Sequence, residues 1–387
     1  MVNLLVICEN IGKSATGIVI ESFLKYLDNS KELNLIIICN QNYSDYAFKD
    51  LRLIGFEKQH VNFYYKLSLI FFGKEPGSNA WVKEGLNKLG DTKIDIIIAL
   101  TSAYSIRSFQ LAFEISRKKH IPYVLHALDP MPSPKAWGEH PVLRYGIKKS
   151  VRPYYKSAAL ISASNRQMIA YQCNQLGLND KKTTFFYNPS NSGKDNSFQA
   201  LQTLNGKKEI KFLYLGTLYD KRSPACILDA LEQLYQKGFQ VSFSFVGNIN
   251  SVRIKELLKG YSFVKLLPFQ DNPDQIISEH DILVDIDADI EDDVFISSKL
   301  NFYLAIPRPI LCVTPENSPS AILVKDCGSS VIVSIHKSES IYQAIFELLK
   351  QKKIDYIDRQ VLLKEVSLSM VGEKIEKTIL DLVHSNA

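Results

Sequence analysis

Apolar residues gather along the chain in short, continuous runs rich in β-branched side chains: residues 4–8, 35–39, 94–98, 123–126 and 160–162. Continuous runs suit parallel strands covered on both faces, whereas alternation would suit a sheet with one wet side. Amphipathic stretches at 17–27, 79–89, 105–118 and 166–176 lie between them. Strand then helix, repeated, predicts βαβ units and a doubly wound α/β sheet.

Near Asn188 the texture changes. Residues 188–197 are polar, turn-forming and aperiodic, as an interdomain linker is. The alternation then restarts. Strands are expected at 210–215, 241–246, 264–267, 282–287, 309–313 and 330–333, with helices at 225–237, 252–259, 298–305 and 340–350. A last amphipathic stretch covers 366–383. This pattern predicts a Rossmann-like domain at 1–188, a linker at 189–209, a second Rossmann-like domain at 210–365, and a terminal helix at 366–387 packing back on the first. Ligands of open α/β sheets bind beyond the carboxyl ends of the strands. Two such domains facing a cleft would each hold one ligand and bring the two together, an arrangement suited to group transfer.

Composition narrows the class. Of the 387 residues, 46% are hydrophobic and 22% charged, which excludes a disordered chain. A net charge of +5 is too mild to argue for nucleic acid. The first apolar run is broken at Asn3 and followed by Glu9, unlike a secretory leader. No apolar stretch is long enough to span a membrane. Cys8, Cys39, Cys173, Cys226, Cys312 and Cys327 are scattered without a C-x-x-C pair. They are expected to be reduced residues of a cytosolic protein, forming neither a zinc site nor a disulfide framework.

In the first domain, Gly12-Lys13-Ser14 sits between the first strand and the first helix. A phosphate-binding P-loop needs a glycine five residues before Gly12, where Ile7 stands. Small residues here still let a ligand approach the backbone and helix-terminal amides. A plain strand-to-helix turn accounts for them equally well. Further on, His126 and Asp129 appear at a strand's carboxyl lip, ahead of a proline-rich loop. Asp129 can accept a proton or orient a hydroxyl, and His126 can donate to a sugar or phosphate. Alternatively, Asp129 caps the next turn and His126 bonds to backbone; the strand-end position favours function. From Arg117 to Lys156, nine basic residues, among them Arg144, Lys148, Lys149 and Arg152, are opposed only by Asp129 and Glu139. Interleaved apolar and aromatic residues make this either a surface for anionic lipid headgroups or a solvated helix face.

In the second domain, a strand runs into Gly216-Thr217, followed by Lys221 and Arg222 before a helix. Cations and helix-terminal amides together neutralise a diphosphate without metal. At 297–305, Ser297 or Ser298 would cap a helix with Lys299 in its first turn. A lysine there opposes the helix dipole, so a bound anion would account for it. The acidic run 285–293 excludes an EF-hand, because Ile290 and Ile296 stand where glycine and glutamate are required. It is read as a strand end entering a solvated loop, and no metal site is expected.

These pieces together resemble GT-B glycosyltransferases, specifically the retaining family 4 type that builds bacterial surface polysaccharides. The likeness runs along nearly the whole chain: the glycine-containing first loop, Asp129-Pro130, residues 157–164, Asn188-Pro189, residues 212–218 with Arg222, Phe245-Val246-Gly247 and, most specifically, residues 295–310. The resemblance implies that Arg222 and Lys299 hold the diphosphate of a nucleotide-sugar donor, with Gly216, Thr217, Lys221, Ser297 and Ser298 around it. It implies that Asp129 and His126 face the acceptor. The glutamate by which that family binds the donor ribose is replaced here by Phe302, which leaves Asn301 as a candidate for the contact.

The expected activity is transfer of a sugar to a glycan or lipid-linked acceptor, of hexosyltransferase type, with retention and without metal or cofactor. The expected setting is cytoplasmic, peripheral at the inner face of a bacterial membrane. The competing readings are a sugar-nucleotide 2-epimerase of similar fold and a catalytically weakened subunit serving a partner enzyme.

Overall fold

A computed structural model describes residues 1–55, 63–101, 105–178, 181–190, 198–270 and 272–386. The chain divides into two compact units, Met1–Pro189 with Leu368–Ala387, and Ser190–Ser367.

In unit 1 the strands are β1 (Val2–Ile11), β2 (Leu33–Asn42), β3 (Leu51–Leu53), β4 (Ile96–Thr101), β5 (Tyr123–Ala127), β6 (Leu160–Ala163) and β7 (Thr183–Phe185). They form one parallel sheet in the order β3-β2-β1-β4-β5-β6-β7. β1 is central, with Val6 level with Ile37 on one side and Ile98 on the other. Residues 4–8 are buried without a break, because helices cover both faces. The helices are α1 (Ala15–Asp28), α2 (Phe63–Phe72), α3 (Ser78–Leu89), α4 (Arg107–Lys119), α5 (Pro141–Ser157) and α6 (Arg166–Leu176). Local chemistry sets several starts: Ser14 accepts from the Gly17 N–H at 3.0 Å, and Asn165 from the Met168 N–H at 2.8 Å.

Unit 2 repeats the plan with β8 (Glu209–Leu215), β9 (Gln240–Val246), β10 (Val264–Leu267), β11 (Ile282–Ile286), β12 (Ile310–Val313) and β13 (Val331–Ser334). All pairings are parallel, in the order β10-β9-β8-β11-β12-β13. Its helices are α7 (Ala225–Gln236), α8 (Val252–Lys259), α9 (Asp274–Ser278), α10 (Ser298–Leu304), α11 (Pro319–Val324), α12 (Ser338–Lys350) and α13 (Ile357–Glu365). Of the stretch read as linker, residues 191–197 lie outside the described residues. The later part is not free chain: Leu204 is fully buried and Leu201 packs beside it in the unit 2 core.

The last helix, α14 (Leu368–Asn386), belongs to unit 1. Val371, Ile375, Ile379 and Leu382 complete the core formed by β1, β2 and α1. Gly372 lets the helices close, since a Cβ there would sit 2.4 Å from the Tyr26 ring. All six cysteines are free, four of them buried. Among the described residues, no helix is long and apolar enough to cross a membrane.

Because Ile375 is 4% exposed in a closed core, Ile375→Ala should destabilise unit 1 by about 2–5 kcal/mol. Exposed Lys377→Ala is the control in chemical denaturation. Equal midpoints for the two variants would show that α14 contributes nothing to that core.

Candidate functional site

At the carboxyl ends of β8 and β11, unit 2 gathers charge. The chain leaves β8 through Gly216 (φ +116°) and leaves β9 through Gly247 (φ +134°), both in backbone conformations that favour glycine. The two loops touch, since a Cβ on Gly247 would lie 2.3 Å from the Gly216 carbonyl oxygen. A Cβ on Gly216 would meet Lys299 Cδ at 3.1 Å, so the lysine stem crosses bare backbone. Lys299 Nζ then lies 3.8 Å from Asp285 Oδ1 and 5.1 Å from the centre of the Tyr214 ring.

Asp285 is fully buried at the end of β11 and accepts from Ser297 Oγ at 2.8 Å. Asp287, two residues on, is also buried and accepts from Thr314 Oγ1 at 2.8 Å. Arg222 lies with its guanidinium 5.2 Å from the Tyr219 ring centre. Among the described residues, Asp285 Oδ2, Asp287 Oδ1 and Arg222 Nε have no hydrogen-bond partner. Buried polar atoms are normally satisfied, and here three orphans fall within one cluster of opposite charges.

The groups tune one another. Burial, then the charge of Asp287, pushes the Asp285 carboxyl up to about 6, against Lys299, Arg222 and the Ser297 hydroxyl. Burial brings Lys299 down to about 8, helped by Arg222 and resisted by Asp285 and Asp287. For Arg222 burial works downward, but Tyr219, Asp287, Tyr214 and Asp285 outweigh it and hold the guanidinium above its ordinary value.

Of the donor-side residues read from sequence, Gly216, Arg222, Ser297 and Lys299 come together here. Thr217 lies in the same loop, its carbonyl accepting from the Tyr214 hydroxyl at 3.0 Å. Lys221 and Ser298 are exposed, and Asn301 is buried within α10. Asp285 and Asp287 correct the sequence reading. They are core carboxylates beneath two cations, not part of a solvated loop. Their partners lie on other elements, which a charge run does not reveal. Among the described residues no group of three potential metal ligands occurs.

In unit 1 His126 is displaced from its expected role. Its ring is buried, 5.8 Å from Phe23 and 5.6 Å from Phe186 between ring centres, with Nδ1 3.0 Å from Ser162 Oγ. It lines a small apolar cavity with Val6, Leu24 and Ile375. Burial brings its pKa down to about 3, so it is a neutral core residue. Asp129 stays at the half-buried strand end, after Leu128, whose N–H donates to the Thr101 carbonyl at 2.9 Å.

Gly12 and Lys13 both have positive φ, and Ser14 caps α1. The Gly12 and Ser14 amides are spent inside the turn, on the Gly17 and Gly12 carbonyls. What the turn presents outward is the Lys13 side chain, 4.7 Å from the centre of the Tyr43 ring. Arg144 is corrected as well: it is buried, 3.7 Å from Glu139, and donates to the Ser133 carbonyl instead of facing solvent.

Sequence reasoning also missed a buried pair at the rim of unit 1, where Arg107 Nε lies 3.0 Å from Glu75 Oε2. Glu75 also accepts from the Ile106 N–H. Burial, with Glu9 adding like charge, lifts it to about 8. Glu75 stands in a Lys-Glu-Pro-Gly stretch that reads only as a turn.

No family model matches the chain, and no curated protein matches it. Solved structures do. HepE of Anabaena, in complex with UDP and glucose, is 13% identical over 98% of this chain and 100% of that one, with a TM-score of 0.63. Sucrose-phosphate synthase from Thermosynechococcus elongatus is 9% identical over the whole of both chains, at 0.73. A UDP-N-acetylglucosamine 2-epimerase is 12% identical over 95% of this chain and 91% of that one, at 0.50. What these likenesses establish is the fold: α/β GT-B, built from two Rossmann-like domains.

The neutral His126 carries a linkage consequence. Its folded pKa is depressed, so between about pH 6.5 and 3 the unfolded chain binds the proton and stability falls as pH drops. This residue should contribute a slope of up to about 1.4 kcal/mol per pH unit in that window, and none above it. Urea titrations from about pH 4.5 to 7.5 should show a shallower slope for His126→Phe. An identical slope would mean that the ring is not held neutral.

Proposed function

We propose that the protein is a glycosyltransferase. It moves a hexose-type sugar from a nucleotide-diphosphate sugar held by unit 2 to a glycan or lipid-linked acceptor. The observation that carries this reading is the cluster of Gly216, Arg222 and Lys299 at the carboxyl ends of β8 and β11. There two half-buried cations stand beside bare backbone, the combination that neutralises a diphosphate. Departure of a nucleoside diphosphate builds charge on phosphate oxygens, and preorganised cations stabilise that charge in the transition state. Arg222 and Lys299 supply the positive field that a metal supplies elsewhere, which supports a metal-free reaction. Retention follows if the acceptor hydroxyl attacks from the face that the phosphate leaves, the phosphate itself taking the proton. HepE, similar in fold, is seen with UDP and glucose, which supports the same ligand class.

The 2-epimerase reading loses ground because it needs several acid/base groups around one sugar ring, and His126 is a neutral core residue. The subunit reading rests on Phe302, half-buried beside Tyr303 where the resemblance calls for a glutamate.

Arg222→Ala and Lys299→Ala should each weaken binding of UDP-, ADP- or GDP-sugars by about 1.5–3 kcal/mol, with EDTA present and folding intact. Calorimetry measures this directly. Unchanged affinity in both variants removes the assignment, and loss of wild-type binding in EDTA, restored by manganese, removes the metal-free reading.

We also propose attachment of unit 1 to an anionic membrane surface at the cytoplasmic face. Tyr145, Lys149, Arg152 and Lys156 are exposed along α5, and burial, then the charges of Arg144 and Lys135, bring the pKa of Lys148 down. α2, packed against α5, exposes Phe63, Tyr64, Phe71 and Phe72. Aromatic rings beside cations suit the headgroup region, each cation adding about 1 kcal/mol near an anionic surface. Lys148→Glu with Lys149→Glu should reduce co-sedimentation with anionic vesicles, as should added salt. Equal binding to neutral vesicles, or none to either, would count against attachment.

A further inference from the structure

The charged cluster of unit 2 is electrically balanced before any ligand arrives. Lys299 and Arg222 bring two positive charges, and Asp285 and Asp287 two negative ones, in surroundings largely closed to water. A diphosphate diester adds about two more negative charges beside two buried carboxylates. Uncompensated charge in such a place is normally neutralised by proton uptake.

We propose that binding of the donor diphosphate carries a proton onto Asp285. Lys299 turns its ammonium from Asp285 to the phosphates, and the carboxyl left behind becomes neutral. This rests on the reading of unit 2 as the nucleotide-sugar site. It makes Asp285 a positioning residue that sets the pH range of donor binding.

Asp285 is the acid singled out by its contacts. It is fully buried, its one neutral donor is the Ser297 hydroxyl at 2.8 Å, and its other oxygen has no partner among the described residues. Lys299 stands only 3.8 Å away, so redirecting that one side chain strips the carboxylate of its nearest counter-charge. Asp287 by contrast keeps Thr314.

The groups facing Asp285 are Asp287 beyond its own strand, Tyr214 on β8, Arg222 after β8, Lys299 and Tyr303 on α10, and Cys312 on β12. Burial raises Tyr214, Tyr303 and Cys312, so they stay uncharged near neutral pH. Even with Lys299 in place, Asp285 is already pushed up to about 6. A bound anion pushes it further the same way, so uptake begins above about pH 6 and vanishes below it.

Titration calorimetry of the full chain, in buffer pairs of different ionisation enthalpy, counts the protons. The probes are UDP-glucose, ADP-glucose and GDP-mannose, whose diphosphate diesters do not titrate between about pH 5 and 9. The expected result is uptake approaching one proton per site at pH 7–7.5 and near zero at pH 5. Affinity should fall by up to about tenfold per pH unit above 6. Lys299→Arg, whose cation does not titrate, should keep the step near pH 6, and adding Asp285→Asn to it should remove the step.

A probe that binds at pH 7 without proton uptake overturns the proposal and leaves the donor reading standing. A step near pH 8 with none near pH 6 in the wild type also overturns it, because that proton belongs to Lys299. If Asp285→Asn fails to fold, the wild-type midpoint still decides. If no probe binds at any pH, the donor reading itself fails, and this inference with it.

Discussion

A parallel sheet wrapped by helices on both faces leaves the side chains of its central strands no access to water. Residues 4–8 of β1 and the whole of β11 are buried for this reason. Polar chemistry is pushed to the rim where the strands end, and because every strand runs the same way, all carboxyl ends share one edge. In unit 2 the strand order reverses between β8 and β11. The connections leaving these neighbours go to opposite sides, which opens a gap between their loops. Gly216 lies at the end of β8, and Asp285 at the end of β11 lies under Lys299 in the helix that follows. The charged cluster thus lies at the point where the strand order reverses.

Both units bury charge at a strand rim, and how the charge is satisfied separates them. In unit 1, Glu75 meets Arg107 and the Ile106 N–H, a pairing that fixes the start of α4 against the turn before α3. A buried pair of this kind is explained by structure alone. In unit 1 Arg107 Nε is left without a hydrogen-bond partner, while in unit 2 two carboxylate oxygens and a guanidinium nitrogen are left over in one cluster. Orphaned buried polar atoms cost stability, and a fold retains them where a ligand or a proton completes the network. On this ground the cluster in unit 2, more than the Glu75 pair, is read as a site.

The fold was legible because continuous β-branched runs alternating with amphipathic stretches allow little besides parallel βαβ units. What escaped has identifiable causes. β3 and β7 are three-residue edge strands, too short to show a period. α2 is apolar nearly all round, so periodicity does not say which side faces outward. His126 sits in a run buried on both faces, where alternation cannot tell core from rim. Its ring fits among Phe23 and Phe186, and that fit is a tertiary fact. Arg222 and Lys299 were readable because a cation straight after a strand–turn, or in a helix's first turn, opposes local electrostatics. Asp285 was misread for the complementary reason: it looks solvated until Ser297 and Lys299 fold over it.

Phe302, standing where the resemblance calls for a glutamate, gains meaning beside those carboxylates. The resemblance calls for an acid on α10, reaching toward the ribose. Here α10 offers a half-buried aromatic ring, and the acids stand on β11, beneath the cations. Without them, Arg222 and Lys299 would repel each other in a poorly solvated place, and burial would drive Lys299 toward its neutral form. With them, the empty cluster is balanced and both cations stay charged, ready for an anion. The same balance opposes an anion's arrival, since a carboxylate that steadies a lysine also repels a phosphate. Under the donor-site proposal, such a design gives up some ground-state affinity to remain ordered when empty. On the reading of unit 2 as the donor site, an anion is accepted only if the opposing charge is cancelled at the moment of binding, and among the acids present the most deeply buried carboxyl is the cheapest to neutralise.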